Sequence, residues 1–114
     1  MHGKGNMKVL KFGGSSVGTP DRILVVIKII EAQSLPCVVV VSAFQGVTDT
    51  LLNIADLASK GNPGYIDLLE KVVLKQKDFA EILIRNNSIK RKLIEAFEGI
   101  VNELRETCRG IFLL

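Results

Sequence analysis

The chain has 114 residues, of which 47% are hydrophobic and 24% are charged. This composition is typical of a globular protein with a packed core, not of a disordered or fibrous chain. The formal net charge is +3, and the basic run Lys90-Arg91-Lys92 has acidic residues one or two helical turns away, which favours a solvated helix face over a nucleic-acid-binding patch. No apolar run reaches the roughly 18 residues of a membrane span. We therefore expect no nucleic-acid partner and no membrane partner.

Neither the amino terminus nor the cysteines indicate a catalytic or metal-binding site. Residues 1–6 form a polar, glycine-rich stretch that we expect to be a flexible extension, and it contains His2, for which a catalytic or metal-binding role is not expected. Cys37 and Cys108 lie far apart and match no metal-ligand or redox spacing, so we expect free thiols. These features predict a cytoplasmic protein without a protein-made metal site.

Residues 7–64 read as strand, helix, strand and helix. A short apolar run, residues 8–12, enters a glycine loop and predicts the first strand. Thr19-Pro20-Asp21 supplies a capping hydroxyl, a proline for the first helical position and an acid for the first turn, so a helix is expected to begin there. Residues 37–41 form a continuous β-branched run, which predicts a strand of a parallel sheet that is buried on both faces. A second loop, residues 42–46, precedes a helix predicted over 47–59.

The second half of the chain has a helical pattern. Residues 65–109 carry apolar stripes at alternating spacings of three and four, interrupted at Asn86-Asn87-Ser88, and this pattern predicts a helical hairpin. Residues 110–114 form an apolar run without a polar cap. We expect this run to be the start of an element that is cut short, with no packing partner in this chain.

The segment from Lys11 to Gly18, with the sequence Lys-Phe-Gly-Gly-Ser-Ser-Val-Gly, is suited to phosphate. Glycines allow backbone N–H groups to approach an anion closely, and a lysine and hydroxyl groups add donors. The spacing matches neither a Walker A loop nor the dinucleotide-binding pattern GxGxxG. The residues therefore predict an anion-binding loop of a different type.

Two motifs carry a resemblance to a known family. The string Lys-Phe-Gly-Gly-Ser-Ser-Val resembles the signature of the aspartokinases, within the amino-acid kinase family. Val41-Ser42-Ala43, followed by Gly46-Val47-Thr48-Asp49, is similar to that family's second loop, in the same order and at a similar distance. The hairpin and the residues after it are similar to an insertion in aspartokinases that are fused to homoserine dehydrogenase.

The resemblance implies an activity and a role for each matching residue. The reaction would be transfer of phosphate from ATP, with Mg²⁺, to the β-carboxylate of L-aspartate. Lys11 would contact the ATP phosphates as the catalytic cation, with Gly13, Gly14 and Ser15 lining the same loop. The hydroxyls that would face aspartate belong to Ser42 and Thr48. Without the resemblance, a serine or threonine in such a loop is more often a helix cap.

The resemblance also implies a fold of three layers, α/β/α, of the carbamate kinase-like type, in which this chain supplies the amino-terminal part of the catalytic domain. We expect such a part to be inactive alone and the full-length protein to be a homo-oligomer. Two alternatives stay open: another small-molecule kinase of the same family, and a non-catalytic fragment.

Overall fold

The computed structural model describes residues 6–114, so His2 and most of the expected amino-terminal extension lie outside the described residues. The chain divides into two compact units, Met1–Gly46 and Val47–Leu114. The architecture is α/β with helices predominating. Its elements, in chain order, are β1 (Lys8–Phe12), a short 3₁₀ turn (Gly14–Val17), α1 (Pro20–Glu31), β2 (Cys37–Val41), α2 (Val47–Ser59), α3 (Tyr65–Leu83) and α4 (Asn87–Phe112).

The first unit is a strand–helix–strand arrangement with a parallel sheet. β1 pairs with β2 in a register that sets Lys8 opposite Cys37 and Phe12 opposite Val41. The pairing continues past the strand at its carboxyl end, where the Ser42 N–H donates to the Phe12 carbonyl over 3.0 Å. Because a parallel pair needs a crossover connection, α1 lies between the two strands in the chain. The predicted strand, helix and strand are confirmed.

α1 begins where its capping residues predict. The Thr19 hydroxyl accepts a hydrogen bond from the Arg22 N–H at 3.2 Å, and Pro20 occupies the first helical position. These contacts satisfy one of the otherwise unpaired N–H groups of the first turn, and proline has no N–H to satisfy. The start of α1 is therefore fixed beside the glycine loop.

The burial predicted for β2 is wrong. Its four valines, Val38–Val41, are 37–58% exposed. A strand is buried on both faces only when helices cover both sides of its sheet. The sheet within residues 6–114 has two strands, joined by α1. The β-branched run therefore forms the predicted strand, and its apolar side chains remain in contact with solvent.

The second unit is a three-helix arrangement around one core. Ile54 and Ala58 of α2, Leu69 and Val73 of α3 and Val101 of α4 are buried together with Tyr65 and Cys108. Tyr65 is a packing residue of this core. Cys108 is buried and Cys37 is half-buried, and both are free thiols, as the sequence predicts.

α3 and α4 form the predicted hairpin. Its second helix begins at Asn87, within the expected break, because the Asn86 side chain caps it by accepting from the Ile89 N–H at 3.0 Å. Arg105 of α4 makes a two-pronged contact with Glu70 of α3, with both N–H···O distances 2.8 Å. This hydrogen bond from Arg105 is the main cause that lowers the pKa of Glu70.

The expectation that the run 110–114 has no packing partner is wrong for Ile111 and Phe112. α4 continues through Gly110 to Phe112, and both Ile111 and Phe112 pack against the core of the second unit. The rings of Tyr65 and Phe112 lie 5.5 Å apart. A glycine inside a helix costs only about 1 kcal/mol, and the partial burial of Ile111 and Phe112 against the core acts in the opposite direction. Leu113 and Leu114 are exposed.

No helix in the described part of the chain is both long enough and apolar enough to cross a membrane.

Candidate functional site

The candidate site begins at the carboxyl end of β1, where neighbouring side chains point to opposite faces of the sheet. Phe12 is half-buried and lines a cavity with Val25, Val26 and Ile29 of α1. Side chains alternate along a strand, so Lys11 points to the face opposite α1, and it is exposed. The lysine is thus free to meet a ligand in solvent, while the ring beside it anchors the strand to the helix.

The glycine loop after β1 is a tight turn. The Ser16 N–H donates to the Gly13 carbonyl at 3.0 Å, and the Gly18 N–H donates to the Ser15 carbonyl at 3.4 Å. Val17 is buried at 4% exposure, whereas Gly13 and Ser15 are exposed. The buried valine therefore holds a loop whose glycine and serine face solvent.

The loop after β2 packs against the glycine loop. A β-carbon added at Gly14 would lie 3.4 Å from the carbonyl oxygen of Ala43, and one added at Gly18 would lie 2.6 Å from the side-chain oxygen of Gln45. The distance at Gly14 is an ordinary van der Waals contact, whereas the approach at Gly18 leaves no room for a β-carbon unless the Gln45 side chain moves. The absence of a side chain at Gly18 thus allows Gln45 of the second loop to lie against the glycine loop.

A cavity of about 340 Å³ adjoins the glycine loop. Its lining combines two hydroxyls of the loop, Ser15 and Ser16, and the guanidinium group of Arg22 with apolar side chains of β1 and α1. Lys11 is not part of this lining. Lys11 and Arg22 therefore lie on different sides of the glycine loop.

One contact joins α1 directly to the loop. The Arg22 side chain donates from Nη1 to the Ser15 carbonyl oxygen at 2.8 Å. That carbonyl also accepts from Gly18, so it receives donors from both the loop and the helix. Arg22 could not be recognised from the sequence as a site residue, because no spacing rule predicts a contact from the first turn of a helix back to a loop residue seven positions earlier.

The chemistry open to this edge of the sheet is anion binding. A lysine, serine hydroxyls and glycine backbone are donors that match phosphate oxygens. Among residues 6–114 there is no group of three or more His, Cys, Asp or Glu side chains that could hold a metal ion. The donors at this edge of the sheet thus suit phosphate groups.

The structure brings most of the predicted site residues to one edge of the first unit. Lys11 ends β1, Gly13, Gly14 and Ser15 follow it directly, and Ser42 follows β2 directly. Thr48 belongs to the second unit, where it lies in the first turn of α2. The roles assigned to these residues remain predictions.

A profile of the amino acid kinase family matches residues 6–104. The chain belongs to the amino acid kinase family. Similar proteins include two bifunctional aspartokinase/homoserine dehydrogenases. The chloroplastic bifunctional aspartokinase/homoserine dehydrogenase 1 of Zea mays is 35% identical over 96% of this chain and 12% of its own length. The bifunctional aspartokinase/homoserine dehydrogenase of Buchnera aphidicola is 32% identical over 95% of this chain and 14% of its own length.

A chloroplastic bifunctional aspartokinase/homoserine dehydrogenase 2 of Arabidopsis thaliana is 34% identical over 96% of this chain and 12% of its own length. The chain thus spans about one-eighth of the length of the curated relatives it matches. The resemblance to aspartokinases drawn from the two loops is confirmed.

Proposed function

We propose that this chain is the nucleotide- and substrate-binding part of an aspartate kinase, a transferase that moves the γ-phosphoryl group of ATP to the β-carboxylate of L-aspartate. The observation that carries the proposal is the contact between the two signature loops beside an exposed lysine. Ligands of open α/β sheets collect outside the carboxyl ends of the strands, and both loops leave the sheet at that end. The names of the similar proteins support the choice of aspartate as the acceptor.

The nucleotide side is assigned to the first loop. Lys11 would contact the ATP phosphates, and Gly13, Gly14 and Ser15 would line the same site with backbone N–H groups and a hydroxyl. The exposure of Lys11, Gly13 and Ser15 fits this role, because each can reach an anion without displacing protein atoms. Mg²⁺ usually keeps several waters and binds through phosphates and one or two carboxylates, so we assign none of its ligands to the described residues.

The substrate side is assigned to Ser42 and Thr48. Ser42 is exposed directly after β2, and Thr48 is exposed in the first turn of α2. Hydroxyl groups both donate and accept hydrogen bonds, which suits an amino acid that carries two carboxylates and an ammonium group. A substrate held by such bonds is discriminated from analogues that lack the bonding group.

The proposed chemistry is an in-line displacement. A β-carboxylate oxygen of aspartate forms a bond to the γ-phosphorus, the bond from that phosphorus to the bridging oxygen breaks, and ADP leaves with that oxygen's electron pair. The product is 4-phospho-L-aspartate. Little covalent chemistry is required of the protein, so catalysis is positioning and charge stabilisation. Lys11 would supply positive charge where negative charge is redistributed on the transferring group.

The wider assignments rest on the same resemblance. They are a three-layer α/β/α catalytic domain, a homo-oligomeric full-length protein, a cytoplasmic location, and the first step of lysine, threonine and methionine biosynthesis. The exposed valines of β2 support the first of these, because a sheet of that kind is normally covered on both faces. The helical hairpin would be an insertion in that domain.

The test is an acyl phosphate assay on the full-length protein. Hydroxylamine traps an acyl phosphate as a hydroxamate, so ATP and Mg²⁺ are supplied with L-aspartate, L-glutamate, N-acetyl-L-glutamate or carbamate in parallel reactions. We expect hydroxamate to form with aspartate and not with the other three acids. Lys11→Ala is the matched negative control and should form little hydroxamate with any of them. Hydroxamate with another acid in place of aspartate would move the protein to a different kinase of the family. ATP-dependent product that is insensitive to Lys11→Ala would contradict the assignment of the first loop.

A further inference from the structure

Arg22 is a feature of the site that the proposed roles do not use. Its guanidinium group donates to the Ser15 carbonyl at 2.8 Å, in the middle of the loop assigned to phosphate. Its own backbone N–H is held by the Thr19 hydroxyl at 3.2 Å, so the first turn of α1 is capped at the residue that reaches the loop. The side chain therefore links the capped start of α1 to the Ser15 carbonyl in the middle of the loop.

The Arg22 guanidinium group donates to a carbonyl that also accepts a hydrogen bond within the loop. The Ser15 carbonyl also accepts from the Gly18 N–H, at the longer distance of 3.4 Å. Hydrogen bonds from a charged donor are stronger than those between neutral groups. The guanidinium group thus holds the Ser15 peptide unit more firmly than the backbone turn does alone.

The position of Arg22 argues against direct contact with the ligand of Lys11. Arg22 lines the cavity on the α1 face with Phe12 and Val25, whereas strand alternation directs Lys11 to the opposite face. A group on one side of the loop can still fix the orientation of the N–H groups that the other side presents.

We propose that Arg22 is a positioning residue of the phosphate-binding loop: it fixes the Ser15 peptide unit from the α1 side, so that the loop is ordered before phosphate arrives. This inference rests on the proposed function of the loop. Ordering the loop in advance lowers the entropy that binding must otherwise remove. Loss of the guanidinium group should therefore weaken phosphate binding without removing a ligand contact.

The test compares Arg22→Met with Lys28→Met. Both changes remove one positive charge from α1 and keep an unbranched apolar stem, but Lys28 lies in the last turn. In the ligand-free 114-residue chain, NMR measures the carbonyl ¹³C resonance of Ser15, which responds to hydrogen bonds at that oxygen. We expect it to move in Arg22→Met and to stay in place in Lys28→Met.

The same samples are then titrated with inorganic triphosphate and with MgATP. If the lost hydrogen bond is worth on the order of 1 kcal/mol, the affinity of Arg22→Met for both should fall about fivefold. Lys28→Met should bind as the unmodified chain does, and thermal unfolding should be similar in the two variants. Lys11→Ala is included as the variant that tests the loop itself.

The outcomes separate the two proposals. An unchanged Ser15 resonance in Arg22→Met would overturn the positioning role, whatever the affinity, and a lost affinity in that case would make Arg22 a direct ligand. A shifted Ser15 resonance with unchanged affinity for phosphate would also overturn the positioning role of Arg22. If binding still depended on Lys11 in that case, the proposed function of the loop would stand. If the unmodified chain binds neither triphosphate nor MgATP, the phosphate role of the loop fails and the inference about Arg22 fails with it.

Discussion

Ile54→Ala should strongly destabilise the helical unit. Ile54 is 1% exposed and lies in the core where α2 meets α3 and α4. Replacing a buried isoleucine by alanine typically costs about 2–5 kcal/mol. A unit of this size is stable by only about 3–10 kcal/mol, at roughly 0.05–0.15 kcal/mol per residue. The single change would therefore remove a large part of its stability, and α2 is the helix whose first turn carries Thr48.

The chain offers a local probe for this measurement. It contains one tyrosine and no tryptophan, and Tyr65 is buried in the same core. Tyrosine fluorescence during urea unfolding therefore reports on the helical unit. With a urea dependence of about 1–3 kcal/mol per molar, a cost of about 2–5 kcal/mol should lower the midpoint of Ile54→Ala by about 0.7–5 M.

Leu52→Ala is the matched control, because Leu52 is on the same helix and 64% exposed. Its free energy of unfolding should stay within about 0.5 kcal/mol of the unmodified chain. Equal midpoints for the two variants would refute the reasoning, since they would show that Ile54 is not enclosed in a packed core.

Three further predictions concern the site and the hairpin. In the full-length protein, Lys11→Ala should lower kcat by about 10²–10³-fold, and near-normal turnover would contradict its role. Ser42→Ala and Thr48→Ala should each raise KM for aspartate with little change in KM for ATP; the reverse result would assign them to the nucleotide. Because Arg105 lowers the pKa of Glu70 from its ordinary 4.5, the stability that this pair contributes is present above pH 4.5 and is lost as pH falls through the lowered pKa. Fluorescence-detected urea unfolding should show this loss and a smaller one in Arg105→Met; an equal loss would exclude the pair.

The elements of the fold could be predicted where local chemistry alone decides them. Thr19 and Pro20 fix the start of α1 through one side-chain hydrogen bond and one absent N–H, and Asn86 does the same for α4 by capping its first turn. These interactions span three residues. Patterns that span so few residues can be recognised in a sequence without knowledge of the tertiary packing.

Burial was harder to predict, because it depends on partners that the local pattern does not specify. The valines of β2 have the β-branched composition of a strand covered on both sides, but composition does not supply the covering helices. Phe112 presents the opposite case. The hairpin was predicted to end at residue 109, but α4 continues to Phe112, whose ring packs against Tyr65.

The candidate site could be predicted only in part. The order of the two loops along the chain places Lys11 and Ser42 at one sheet edge, because parallel strands end on the same side. The packing of Gln45 over Gly18 and the reach of Arg22 to Ser15 depend on side-chain directions in three dimensions. Neither contact has a spacing signature in the sequence.

The opposite orientations of Lys11 and Phe12 limit how β1 can change length. Inserting or deleting a single residue upstream of Lys11, with the pairing to β2 kept, would exchange the two side chains between the faces of the sheet. The ammonium group would then take the place of the phenyl ring beside Val25, Val26 and Ile29 of α1, and the phenyl ring would project into solvent at the mouth of the loop. Changes of length by two residues preserve the faces, so β1 should accept insertions and deletions in pairs and resist them singly.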